Sequence, residues 1–398
     1  MRSMLDAPGL SAGVRERARE AALALGERLL HLSRDADPDD PQWTPSRSLA
    51  GSAGYALAFF SLGAALQDER FIQAGHAFMR TAARVDDVPR EGLFDGISGL
   101  RAVAALASGL EPGYAGLVAQ CDAFLARRPA LACEKPLDFS AFDIISGACG
   151  ARLARCVNGP AGADEGTAYL LWLLQEPERL ACVHPVRGGE PSIDYGVAHG
   201  VAGILSTLAL TLDDPEPHRM LISRAAHDLA LRAEPEGGAI WWPYASTRNE
   251  AHMRMAWCYG TPGVAAALYN VGSFLNEESL VSLAVAAIEG LIHTNNADGL
   301  IDEPVLCHGT VGNALCVASV AARTGRRTHW QIAQRYVTEA LAELASTAWR
   351  VYARQDDGNK YETHDFIVGT AGVVTGLLTL TGDCDPAWMR LFGLQPLR

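Results

Sequence analysis

Two cysteines and a histidine sit where two glycine turns begin. Cys258 lies in Trp257-Cys258-Tyr259-Gly260, and the pair Cys307-His308 directly precedes Gly309. Three N/S donors with a fourth position left open are the ligand pattern of a catalytic zinc ion. Two thiolates would cancel the charge of the metal. A third, exogenous thiol entering the open position loses its proton, because a coordinating thiol is deprotonated outright; left free, it titrates near ~8.5. Such a centre suits thiolate delivery at neutral pH, whereas a three-histidine site holds more positive charge and suits water activation. The spacing from Cys258 to Cys307 is not that of a zinc finger. The ordinary role of a free cysteine is a small buried core residue, and that role is assigned to Cys121, Cys133, Cys149, Cys156, Cys182, Cys316 and Cys384.

Other reactive side chains stand at a matching place. His199 directly precedes Gly200, and Asp143 lies one helical turn before Gly147. Imidazole titrates near neutrality and is a candidate acid/base. Asp143 could orient it or stabilise its charge, the plainer alternative being a carboxylate that caps a helix start. Arg254, one turn before Cys258, could stabilise an oxyanion formed during reaction; its plainer role is a salt bridge. Tyr259 follows Cys258. Trp257 and the cluster Trp241-Trp242-Pro243-Tyr244 could line a peptide groove or simply pack a loop. His364 and Asp365 precede another such turn and could reach the same rim.

These turns share one sequence, Gly-x-x-Gly, found seven times: Gly51–Gly54, Gly96–Gly99, Gly147–Gly150, Gly200–Gly203, Gly260–Gly263, Gly309–Gly312 and Gly369–Gly372. Each copy opens an apolar run such as Ile204, Leu205, Leu208, Ala209 and Leu210, which reads as a buried helix. Between copies lie amphipathic runs. In residues 14–34, Ala18, Ala21, Ala22, Leu25, Leu29 and Leu32 form one face, and Arg15, Glu16, Arg19, Glu20 and Glu27 lie elsewhere. Alternating strand patterns are scarce. The repeat is thus an outer amphipathic helix, a loop and an inner helix opened by glycines. Seven such hairpins bury their apolar faces by closing into a ring, and the predicted fold is an all-α, α/α toroid around a central cavity, a single domain over residues 1–398. Glycines let seven helix N-termini crowd together at one end. In a ring, residues at the same register of neighbouring repeats converge on one rim, which brings Cys258, Cys307, His308, His199 and Asp143 together.

Composition bounds the partners. The 398 residues are 49% hydrophobic and 20% charged, with a net charge of −13. That acidic surface argues against nucleic acid and anionic lipid as main partners and tolerates a neutral or basic peptide. No apolar stretch reaches the ~20 residues of a membrane helix; residues 196–212 and 367–382 come nearest and are broken by glycines and polar residues. The N-terminus lacks a signal-peptide pattern. Nine cysteines without a framework spacing fit a reducing cytoplasm.

The blocks Gly196-Val-Ala-His199-Gly200, Arg254-Met-Ala-Trp257-Cys258-Tyr259-Gly260-Thr-Pro262-Gly263 and Cys307-His308-Gly309, together with the seven glycine dyads, resemble the lanthionine synthetase C-like family of lanthipeptide cyclases. The resemblance runs through essentially the whole chain. It implies a zinc-containing α/α toroid that adds peptide cysteine thiols to dehydroalanine or dehydrobutyrine, forming thioether rings. By motif, Cys258, Cys307 and His308 would hold zinc, His199 would be the acid/base with Asp143 its partner, and Arg254 and Tyr259 would line the site. The substrate would be a dehydrated precursor peptide, supplied by a separate dehydratase. Little room exists between dyads for the inserted domain that some standalone members carry. Two other readings use the same residues: a cyclase-like enzyme that adds glutathione to dehydroamino acids, and a non-catalytic peptide-binding scaffold. A zinc alcohol dehydrogenase would need Gly-x-Gly-x-x-Gly after a strand, and a carboxylate-pair glycosidase would leave the Cys-His pair unexplained.

Overall fold

In every repeat the first glycine of the dyad ends a loop and the second lies one turn inside a helix. The computed structural model describes residues 9–34, 43, 46–84, 90–127, 134, 138–160, 162–184, 188–247, 255–294, 303–354 and 359–397. Seven helices follow the dyads: α2 (Ser52–Leu66), α4 (Ile97–Ala107), α6 (Ala148–Arg155), α8 (Val201–Thr211), α10 (Thr261–Leu275), α12 (Thr310–Thr324) and α14 (Thr370–Thr381). Each has the dyad's first glycine at its N-cap. They are buried nearly all round; α8 and α14 are buried along their whole length. Each packs on the next, and α14 packs back on α2, so the ring closes.

The outer layer consists of α1 (Ala12–Arg34), α3 (Glu69–Arg84), α5 (Gly113–Leu125), α7 (Glu165–Gln175), α9 (Arg219–Ala230), α11 (Glu278–Gly290) and α13 (Arg327–Ser346). The packed pair is an inner helix with the outer helix that follows it, as α2 with α3 or α12 with α13. For α14 the partner is instead α1, from the other side of the sequence. The fold is the expected toroid of seven helical hairpins.

Two features of the dyads hold the rim. The second glycine of each lies against a backbone carbonyl of its own loop. At Gly312 an added Cβ would overlap the Leu306 carbonyl oxygen, and at Gly263 that of Trp257. Each of the first six loops also hydrogen-bonds to the next through its backbone: Leu49 N to Leu93 O (3.0 Å), Phe94 N to Ile145 O (2.9 Å), Ile144 N to Ala198 O (3.0 Å), Val197 N to Cys258 O (2.9 Å), Cys258 N to Cys307 O (3.1 Å) and Cys307 N to Ile367 O (3.0 Å). These bonds satisfy groups that would otherwise be stranded in a buried loop and fix the register between repeats.

Among the described residues, three two-stranded antiparallel hairpins interrupt the helices before dyads four, five and seven: β1 (Ala181–His184) with β2 (Gly188–Ile193), β3 (Glu234–Glu236) with β4 (Ala239–Trp241), and β5 (Tyr352–Arg354) with β6 (Lys360–Glu362). The interior of the ring, below the rim, is filled by the end of the chain. A 3-10 helix over Pro386–Phe392 brings Phe392 against Phe94, Trp257 and Phe366, with ring centroids 5.3, 4.7 and 6.2 Å apart. The Gly393 carbonyl accepts from Ser206 Oγ (2.6 Å) on α8 and Asn270 Nδ2 (3.1 Å) on α10.

Candidate metal centre

The backbone bond from Cys258 N to Cys307 O sets the fifth and sixth loops side by side, and the side chains follow. One donor atom from each of Cys258, Cys307 and His308 lies within 4.8 Å of the others. In a tetrahedral site with Zn–S of ~2.3 Å and Zn–N of ~2.0 Å, donors stand roughly 3.5–3.8 Å apart, so a small contraction would gather these three around one zinc. Cys258 is buried, whereas Cys307 and His308 are half-buried and keep one side of the cluster open. The donor set fits zinc with a free position. Burial works against the His308 imidazolium, but hydrogen bonds to Cys258 and Glu303 outweigh it and push its pKa up to about 9.

Beside this cluster His199 Nδ1 lies 2.6 Å from Asp143 Oδ2. Both carboxylate oxygens of Asp143 are engaged, although the residue does not cap α6, whose N-cap is Gly147. Its Oδ1 accepts from Ser146 N (2.7 Å) and Gly147 N (2.9 Å), bracing the turn into α6, and its Oδ2 faces the histidine. The Asp143 side chain is 1% exposed and that of His199 25%, so one ring edge is gripped and the other meets solvent. Burial disfavours the charged ring, yet the Asp143 bond and charge, with help from Asp194 and Cys258, raise its pKa above the ordinary imidazole value. Phe139 packs on the same ring at 4.4 Å.

Tyr259, 6.1 Å from His199 between ring centroids, donates its hydroxyl to Asp194 Oδ2 at 2.7 Å. Desolvation pushes the Asp194 carboxyl up to about 6, against the bonds that it receives from Tyr259 and Gly196. With its proton given to Asp194, the Tyr259 oxygen offers a lone pair to anything bound above it.

Known proteins carry the same architecture. The family model described as lanthionine synthetase C-like protein matches residues 42–392. The chain belongs to the lanthionine synthetase C-like family. Among solved structures it is similar to a nisin cyclase at 14% sequence identity and a TM-score of 0.67, covering 96% of this chain and 98% of that one. At that identity the likeness is one of fold, and the family's α/α toroid is what the two share.

Within this lanthionine synthetase C-like toroid, the loop residues expected at the site divide into three groups. Cys258, Cys307, His308, His199, Asp143 and Tyr259 come together. Trp257 does not line a groove: it is 1% exposed and its Nε1 donates to the Phe392 carbonyl (2.7 Å), which makes it core. Trp242 is likewise buried, donating to Leu229 O (3.0 Å), while Tyr244 reaches the site edge-on to Tyr259 at 5.1 Å. His364 is buried against Trp43 and bonded to Thr370. Asp365 braces its own turn through Ile367 N and Val368 N, and burial raises its carboxyl. Arg254 and Cys133 lie outside the described residues.

Two carboxylates of the site escaped the sequence reading, Asp194 and Glu303. Both stand six residues before the first glycine of a dyad, and both use their backbone carbonyl to accept the first N–H of the next helix: Val201 N to Asp194 O and Thr310 N to Glu303 O, each 2.9 Å. Aligning the seven repeats on that glycine and reading the column six places earlier would have found them. Among the described residues, no helix is long and apolar enough to cross a membrane.

Proposed function

We propose that this chain is a zinc-dependent cyclase that adds cysteine thiols of a precursor peptide to its dehydroalanine or dehydrobutyrine residues, forming lanthionine and methyllanthionine rings. The observation that carries the reading is the convergence of Cys258, Cys307 and His308 on one point beside the paired His199 and Asp143, in a chain of this family. Zinc held by those three donors would make a peptide thiol available as thiolate at neutral pH.

The remaining work falls to the chain's own groups. Attack on the β-carbon moves charge onto the carbonyl oxygen, and the α-carbon must then gain a proton. His199 has the geometry for that transfer, since Asp143 holds Nδ1 and leaves Nε2 toward the open side. Its raised pKa keeps a fraction of the ring protonated near neutrality. Tyr259, committed to Asp194, positions by accepting a hydrogen bond. Arg254 is retained from its place in sequence as the oxyanion partner. The peptide would arrive already dehydrated, which requires a dehydratase to act first.

The test is incubation of purified protein with a dehydrated, cysteine-containing peptide, then alkylation and mass spectrometry. Ring closure leaves the peptide mass unchanged and protects cysteines from alkylation. Full alkylation in the presence of zinc-loaded protein would overturn the reading, and a glutathione adduct formed in place of a ring would assign the same site to the glutathione-adding chemistry.

A further inference from the structure

His308 has two ring nitrogens, and the structure shows which one is spoken for. Its Nε2 lies 3.0 Å from Glu303 Oε2. A carboxylate has no proton to give, so Nε2 carries the hydrogen and donates it. That leaves Nδ1 for the cysteine cluster, where His308 also hydrogen-bonds Cys258, and zinc would take the place of the Nδ1 hydrogen. The Glu303 side chain is 4% exposed and that of His308 25%, so the carboxylate sits behind the ring, on the side away from solvent.

Glu303 is itself held in place. Its backbone carbonyl accepts from Thr310 N (2.9 Å) and Thr310 Oγ1 (3.4 Å), the first residue of α12. Histidine and glutamate thus belong to one loop–helix junction and keep their relation without help from elsewhere. Asp194 occupies the same register but turns its carboxylate to Tyr259, and Thr363 in the seventh repeat turns its hydroxyl to Asp365. Among these three, the sixth repeat alone aims this position at a candidate ligand.

We propose that Glu303 is the positioning residue of the metal centre: it fixes the tautomer and ring plane of His308, commits Nδ1 as the ligand atom, and raises the affinity of the site for zinc. Metal-ligating histidines are held this way by a carboxylate on the other ring nitrogen, and loss of such a partner typically costs ~10–100-fold in metal affinity. The inference rests on the zinc reading above, and its readout is metal binding, independent of any cyclase assay.

The experiment compares wild type, Glu303→Gln and Glu303→Ala as full-length apoproteins. Zinc dissociation constants come from competition with a chromophoric chelator, and the visible spectrum of the cobalt(II)-loaded protein reports the ligand field. Glu303→Gln is nearly isosteric and leaves the backbone contacts to Thr310 intact, so it decides the matter even where Glu303→Ala fails to fold. The expected result is one zinc per chain in Glu303→Gln with affinity ~10–100-fold below wild type, an altered cobalt spectrum and an unchanged apoprotein melting curve. Wild-type affinity and an unaltered spectrum in Glu303→Gln would overturn the proposal while the zinc site stands. A wild type that binds no zinc would overturn the zinc reading and this inference with it.

Discussion

Replacing Asp143 by asparagine separates its two oxygens. Oδ1 braces the turn into α6 through two backbone N–H groups, and asparagine makes that kind of local bond as readily as aspartate. The fold should therefore lose no more than about 1.5 kcal/mol, the net worth of one hydrogen bond. At Oδ2, however, an acceptor becomes an NH₂ donor. Facing it at 2.6 Å, His199 Nδ1 must now accept, which favours the neutral ring with its hydrogen on Nε2, a far weaker acid than the imidazolium that the Asp143 carboxylate stabilises. The variant also loses the charge that raises His199. Ring formation should slow by ~10²–10⁴-fold, the usual worth of a general acid–base group, equal to roughly 2.7–5.4 kcal/mol of barrier at 1.36 kcal/mol per decade. The assay is the alkylation time course across pH, and the rate limb governed by His199 should move to lower pH. Stability gives an independent sign. An imidazole whose pKa is raised on folding contributes in full below its unfolded value of about 6.5 and loses that contribution as pH rises through the folded value. The advantage of wild type over Asp143→Asn in denaturant unfolding should accordingly be greatest in mildly acidic buffer and shrink toward alkaline pH. A variant with wild-type rate and an unmoved pH limb would refute the coupling.

Metal analysis should find about one zinc per chain, with Cys307→Ala abolishing it; full retention in both Cys258→Ala and Cys307→Ala would remove those residues as ligands. His199→Asn should keep its zinc and still bind peptide while forming rings ~10²–10⁴-fold more slowly; loss of zinc would make His199 a ligand or a structural residue, and full activity would send the proton to another donor. Gly312→Ala should cost about 3 kcal/mol or more, because its Cβ overlaps the Leu306 carbonyl and backbone cannot yield as a side chain can. Gly116→Ala, in exposed α5 with nothing within 4 Å of the added carbon, should instead gain ~0.5–1 kcal/mol; equal urea midpoints for the two variants would contradict the role given to the dyads.

The ring was legible because its cause is local and repeated. Each inner helix is announced by a glycine that must precede it and another that a backbone carbonyl excludes from having a Cβ, and both leave marks at fixed spacing. The ligands were legible by adjacency to those marks: Cys258, Cys307, His308 and His199 all fall within two residues of Gly260, Gly309 or Gly200. Asp194 and Glu303 stand outside that window, six residues before Gly200 and Gly309, in a column where the other five repeats carry no acidic residue to draw attention to it. Three short hairpins went unread because strands of three to six residues, mostly on the surface, show too little alternation to register. The packing of Trp257 depends on Phe392, far away in sequence and beyond the last dyad, where no repeat remains to guide inference.

Closure of the ring by α1 on α14 has a consequence for synthesis. The apolar face of α1, with Ala18, Ala22, Leu25 and Leu29 all fully buried in the folded protein, is made long before its partner helix, since α1 ends at Arg34 and α14 begins at Thr370. At ~5–20 residues per second on the ribosome, that face waits roughly 15–70 s for α14. Glu303, Cys307 and His308 are likewise made long after α1, and Phe392 comes after them. The nascent chain thus holds a growing open arc with α1 unpaired until α14 has emerged. Long-range closure of this kind is intrinsically slow, so the protein should depend on chaperones that shield α1 during that interval, and synonymous changes that slow the codons between α1 and α14 should lower its soluble yield more than the same changes within the codons of α1.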